Sequence, residues 1–158
     1  MFVDDGSKDN TWKIIQDLYE KEESVIGLRF AHNRGHQNAI LAGMMYARKY
    51  CDFVITIDAD LQQDIEAMDR FIAEYYAGSE IVYGVRNSRN TDSFFKKTTA
   101  TIFYKLMHFL GCNIYENSAD YRLMSAKALD ALAEYEEVNL FLRGIIPDIG
   151  LKTSVVHF

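Results

Sequence analysis

The chain has little of what marks a stapled, disordered or membrane-embedded protein. Its two cysteines, Cys51 and Cys112, stand far apart with no CxxC spacing. That argues against a disulfide framework or a cysteine-rich zinc site and reads as two reduced, structural thiols. One proline and nine glycines in 158 residues leave no long flexible linker, and there is no internal repeat or low-complexity segment. No apolar run approaches the ~18 residues that a spanning helix needs. The start, MFVDDGSKDN, lacks a basic flank followed by an apolar segment and does not read as a signal peptide. Positive charge is also short: 17 Lys+Arg face 23 Asp+Glu, a formal charge of −6. A general nucleic-acid footprint is therefore absent, and an anionic ligand would have to be held locally, by a metal or a few placed arginines. Neither a P-loop nor a GxGxxG turn is present.

What remains is the composition of one soluble globular domain, 49% hydrophobic and long enough to bury a core. The spacing predicts a helix from Asp9 to about Glu23, with apolar Trp12, Ile14, Ile15, Leu18 and Tyr19, then a strand over Val25–Phe30. A second helix covers AILAGMMYARKY, with Gly43 suited to close packing. FVITI reads as a buried strand running into the loop DADLQQD, followed by a third helix, IEAMDRFIAEYYA. EIVYGV (Glu80–Val85) is a strand that ends in Arg86. After the loop NSRNTDS a long helix is expected from about Ser93 to Leu110, then strand DYRLMS, helix AKALDALAEY, a short helix in NLFLRGIIPDIG, and a closing strand TSVVHF. Strands alternating with helices imply an α/β fold with a mostly parallel sheet under helices. In open sheets of this kind ligands bind outside the carboxyl ends of the strands. Three strands here end in polar, ligand-capable residues: Asp4-Asp5-Gly6-Ser7, Asp58-Ala59-Asp60, and Arg86.

Asp58 and Asp60, two residues apart at a strand end, can turn both carboxylates toward one ion. Hard oxygen ligands without His or Cys favour Mg²⁺ or Mn²⁺, which is usually held by one or two carboxylates together with substrate phosphates. A solvated turn or helix cap is the competing reading of the same residues. Asp4 and Asp5 occupy the equivalent place on an earlier strand, where a carboxylate can accept from a base N–H or a ribose hydroxyl; a turn followed by a cap competes there too. A strand ending in DxD also opens the haloacid-dehalogenase-like phosphatases, but Gln62 stands where their pattern has Thr or Val, and VDDGS has no place in it. His32, His36 and His108 have no partner at ligand spacing on a shared element and read as hydrogen-bonded or surface histidines.

Taken in order, VDDGS, NRGHQNAILAG, IDADLQ, VYGVR, SADYRLMS and FLRG make a set that resembles the inverting glycosyltransferases of family 2. Within these nucleotide-sugar enzymes of the GT-A fold, the chain looks most like the polyprenyl-phosphate glycosyltransferases, such as dolichol-phosphate mannose synthase and the bacterial undecaprenyl-phosphate glucosyltransferases. The resemblance covers essentially the whole chain. It implies that Asp4 and Asp5 contact the nucleotide, and that Asp58 and Asp60, with Gln62 beside them, hold the metal and the donor diphosphate. It also implies that Asp120 has a base-like or acceptor-side role, and that Arg122, Arg86 and Arg143 lie near the donor or acceptor phosphates. Arg89, Lys96 and Lys97 fit a phosphate acceptor.

The partners implied are a UDP- or GDP-linked sugar and a polyprenyl phosphate, and the place implied is cytoplasmic, at the cytoplasmic face of the membrane. In such enzymes the apolar helix with Phe94, Phe95, Ile102, Phe103, Leu106, Met107, Phe109 and Leu110 lies near the acceptor and the membrane surface; a core helix would look similar. Against the family pattern the chain reads as one partial catalytic domain, truncated at both ends. It lacks the first strand, the PVYNE-like loop and the first helix, and its unpaired sheet could self-associate. Two rival readings are a non-catalytic remnant of the fold and a transferase acting on a glycan hydroxyl. With a phosphate acceptor Asp120 orients the site; with a hydroxyl acceptor it becomes a necessary general base.

Overall fold

The computed structural model describes residues 1–86, 118–135 and 141–158. The predicted helix from Ser93 to Leu110, together with Arg89, Lys96, Lys97, His108 and Cys112, lies outside the described residues. Two compact units, Met1–Tyr50 and Cys51–Phe158, are described separately.

In the first unit β1 (Phe2–Asp4) pairs in parallel with β2 (Gly27–Arg29), and α1 (Thr11–Lys21) connects them. α1 buries Ile15, whose side chain and that of Trp12 close over Gly27; a Cβ there would stand 2.7 Å from Ile15. Ile14 and Tyr19, expected on the apolar face, are instead 57% and 62% exposed, and the buried residue of α1 is Ile15. α2 (His36–Ala47) rests on β1 through Gly43, where a Cβ would come within 2.9 Å of Val3. That is the close packing its sequence anticipated.

The second unit carries a four-stranded sheet in the order β3 (Phe53–Thr56), β5 (Ser118–Ser125), β4 (Ile81–Val85), β6 (Thr153–His157). β5 is antiparallel to both β3 and β4, and β4 is parallel to β6. Three strands thus run one way and only β5 is reversed, a direction that the alternation of elements alone does not reveal. α3 (Ala67–Tyr76) covers one face, packing Ala67 and Phe71 on Val82, Tyr121, Leu123 and Val156. The opposite face presents Ile81 and Tyr83 of β4 and Arg122 and Met124 of β5, all buried. α4 (Ala126–Leu132) starts at once from β5, capped by Ser125, whose Oγ accepts from Ala128 N–H at 3.0 Å. α5 (Leu142–Asp148) buries Leu142 and Ile146, and the lone proline, Pro147, sits in its last turn. β3, expected to be a buried strand, is half-buried throughout, and Ile57 just past it is 40% exposed. The reason is its place at the margin of the sheet, with β5 its one ladder partner among the described residues.

Candidate donor and acceptor site

Because β5 is reversed, it begins where β3 and β4 end. Val85 stands opposite Ser118 and Thr56 opposite Arg122. One edge of the sheet therefore gathers Asp58 and Asp60 after β3, Arg86 after β4, and Asp120 near the start of β5. Thr56 ties two of these strands together there, its Oγ1 donating to the backbone carbonyl of Asp120 at 2.5 Å.

Asp120 and Arg122 share a face at i and i+2 and are 4% and 2% exposed. Arg122 Nη2 donates to Asp120 Oδ1 at 2.6 Å. Arg143, from the first turn of α5, closes on the same carboxylate: Nε donates to Oδ1 at 3.2 Å and Nη2 to Oδ2 at 3.0 Å. Among the described residues, two cations thus hold one anion. Burial pulls the Arg122 guanidinium below its ordinary range, and the adjacent carboxylate pulls it back up. Its Nε and Nη1 are buried with no hydrogen-bond partner among the described residues, as is Nε of Arg86. A guanidinium with spare buried donors beside a second, half-exposed arginine has the chemistry to receive an anion. Tyr83, which residue-type patterns did not single out, stands opposite Arg122 in the β4–β5 ladder at 2% exposure. A tyrosine inside a fully apolar strand was the available signal, since a buried hydroxyl seeks a polar neighbour.

The DADLQQD loop is pinned from within. Asp58 N–H donates to Gln63 Oε1 at 2.9 Å, and Gln63 Nε2 donates back to Asp58 Oδ2 at 2.9 Å. Asp60 Oδ1 accepts from Gln62 N–H at 3.0 Å, so Gln62 engages Asp60 through its backbone, with an exposed side chain. Leu61 between them takes a left-handed φ of 58°. Gln63, buried at 6%, is the residue that the motif did not flag.

Asp4 and Asp5 belong to the first unit. Asp4 is 3% exposed; its Oδ1 accepts from Ser7 N–H at 3.0 Å, and Arg29 Nε stands 3.2 Å from Oδ2. Arg29 in turn lies over the Trp12 ring, 5.5 Å from its centroid. Asp5 accepts from the backbone N–H groups of Arg34 at 2.7 Å and Gly35 at 2.9 Å, and so fastens the loop that leads into α2. Gly6, with φ 72°, permits this approach; a Cβ there would meet the His32 backbone at 2.8 Å. Among the described residues, no three His, Cys, Asp or Glu side chains gather as a metal cluster. A two-carboxylate oxygen set still fits a cation that completes its shell with phosphates and water.

The profile of glycosyl transferase family 2 matches residues 1–133. The chain belongs to that family. Its α/β build, with one reversed strand in an otherwise one-directional sheet, is the family's GT-A arrangement, and family 2 generally uses divalent metal ions. Over its whole length the chain is 53% identical to the uncharacterized glycosyltransferase YkoT of Bacillus subtilis, covering 47% of that protein. It is 38% identical to YkcC of the same organism, covering 49%. It is 39% identical to the bactoprenol glucosyl transferase of Shigella phage SfX, covering 52%. The chain thus spans about half the length of these relatives. No described helix is long and apolar enough to cross a membrane.

Proposed function

We propose that the chain is part of a single family 2 catalytic domain that transfers a sugar from a nucleoside-diphosphate donor to a polyprenyl phosphate, with inversion. The carrying observation is the capture of Asp120 by Arg122 and Arg143. A carboxylate held by two guanidiniums is a weak base, so an acceptor that must lose a proton, such as a glycan hydroxyl, is poorly served. A lipid phosphate is already anionic and needs no base. Its oxygen forms the new bond to the anomeric carbon as the bond to the nucleoside diphosphate breaks, and the diphosphate leaves with the electron pair. Asp120 then acts by aligning Arg122 and Arg143, and the Arg122 donors with no partner among the described residues, Nε and Nη1, meet phosphate oxygens.

Asp58 and Asp60, with Gln62 beside them, would hold Mg²⁺ or Mn²⁺, which when bound neutralises charge on the departing diphosphate. In the same reading Asp4 and Asp5 contact a UDP- or GDP-linked donor, and the chain works at the cytoplasmic face of a membrane. Support for the lipid acceptor also comes from the phage relative, which is named a bactoprenol glucosyl transferase. The test is to incubate the purified chain with UDP-glucose or GDP-mannose, manganese and undecaprenyl phosphate, and to look for a glycolipid. A product formed on a soluble glycan but never on the lipid would overturn the acceptor. Failure to bind UDP or GDP at millimolar concentration with manganese would overturn the enzymatic reading of this chain.

A further inference from the structure

We propose that Gln63 is a positioning residue for the donor site, its side-chain amide setting the carboxylate of Asp58 in the orientation that receives a divalent cation. This rests on the reading above that Asp58 and Asp60 hold that cation. Gln63 is 6% exposed, while Leu61, Gln62 and Asp64 around it are exposed. Burying an amide is unfavourable unless both its groups are hydrogen-bonded. Both are, and to one residue: Oε1 accepts from Asp58 N–H at 2.9 Å, and Nε2 donates to Asp58 Oδ2 at 2.9 Å. The first bond fixes where the Asp58 backbone lies; the second fixes how its carboxylate is turned.

The loop is anchored beyond this grip as well. Asp64 Oδ1 takes Glu66 N–H at 3.0 Å, and Tyr121 Oη donates to the Asp64 carbonyl at 2.9 Å. The amide is therefore held against a fixed base while Leu61, 95% exposed, strains at the tip. The chemistry of the holder matters most. An arginine in this place would neutralise the carboxylate, as Arg122 and Arg143 do to Asp120 on the same sheet edge. A neutral amide orients a carboxylate without itself cancelling its charge.

The test uses the full chain, titrated with Mn²⁺ and followed by electron paramagnetic resonance, beside amide hydrogen exchange measured without metal. Asp58→Asn should weaken Mn²⁺ binding; if the unaltered chain and this variant bind alike, the cation reading fails and the inference with it. Gln63→Met keeps size and removes both bonds. It should raise the Mn²⁺ dissociation constant about tenfold or more and speed exchange of the Asp58 amide about tenfold, with far-UV circular dichroism unchanged. A folded Gln63→Met that binds Mn²⁺ as the unaltered chain does would overturn the inference. Should Gln63→Met not fold, Gln63→Glu carries the test, since it keeps an acceptor for Asp58 N–H and removes the donor to Oδ2. Retained exchange protection at Asp58 is expected, and its loss would overturn the grip described.

Discussion

Taking the charge from Asp120 while keeping its shape is the most direct probe of the buried cluster. In Asp120→Asn the carboxylate facing Arg122 becomes an amide, and an arginine only 2% exposed loses its counter-ion. The pair it breaks is short, 2.6 Å from Nη2 to Oδ1. Two further Arg122 donors, Nε and Nη1, are buried without a hydrogen-bond partner among the described residues, so no described acceptor stands ready to take over. Removing one member of such a buried pair costs roughly 3–5 kcal/mol, a large part of the ~5–15 kcal/mol that holds a domain folded. Arg143 touches the same carboxylate, yet its side chain is 42% exposed, and water screens what it contributes. Arg143→Gln should therefore cost no more than ~1 kcal/mol. The double variant Asp120→Asn with Arg122→Met removes the orphaned cation as well and should regain most of the loss, because well-packed apolar groups replace buried ion pairs at little cost. Urea unfolding followed by far-UV circular dichroism measures all three, with the slope against denaturant checked for constancy. The reasoning is refuted if Asp120→Asn lies within ~1 kcal/mol of the unaltered chain, or if Arg143→Gln is as damaging as Asp120→Asn.

Other expected outcomes follow from single contacts. Gly84→Ala would press a Cβ to 2.7 Å from the Tyr121 carbonyl, while Gly43→Ala meets a Val3 methyl at 2.9 Å. A backbone atom in a sheet cannot step aside as a side chain can, so Gly84→Ala should lose about 1–3 kcal/mol and Gly43→Ala less, both read by thermal unfolding. Asp5→Ala removes the acceptor for two backbone N–H groups and should cost about 0.5–2 kcal/mol, with hydrogen exchange accelerating at Arg34 and Gly35 before other amides. Burial first, and Asp64 second, raise the Tyr121 hydroxyl above its ordinary pKa of 10.0. The folded state then keeps a proton that the unfolded chain releases, so this contribution is full below pH 10 and declines as pH rises through the higher folded value. Tyr121→Phe should flatten the alkaline slope of stability; an unchanged slope would contradict the assignment.

Much of the architecture was legible because its causes are local. The helices of the first unit, α3 and the strand ending at Val85 follow from apolar spacing and turn residues, although α2 starts at His36 and ends at Ala47 where the sequence pattern predicts Ala39 and Tyr50. Asp120 and Arg122 could be placed on one face from their spacing alone. Burial was harder to read. FVITI looks like a buried strand, yet β3 lies half-exposed at a sheet margin, and Ile14 and Tyr19 continue a helical pattern while facing water. Hydrophobicity records what a residue could bury, not what stands opposite it.

By itself, the sequence determined the α/β class, the ordered motifs that carry the family, and the list of charged residues a site could use. Those depend on backbone preferences and residue identity, which neighbours along the chain settle. Tertiary structure alone decided how the charges are spent. Reversal of β5 brings Asp120 to the edge where β3 and β4 end, and α5 delivers Arg143 to it from 23 residues away. Gln63, not the motif's Gln62 side chain, grips Asp58, and Asp5 fastens the loop before α2. Ion pairing and hydrogen bonding act over about 3 Å, and which groups come that close is a property of sheet order and helix placement. One aspartate therefore ends held by two arginines and another gripped by an amide, although a linear reading gives both the same letter.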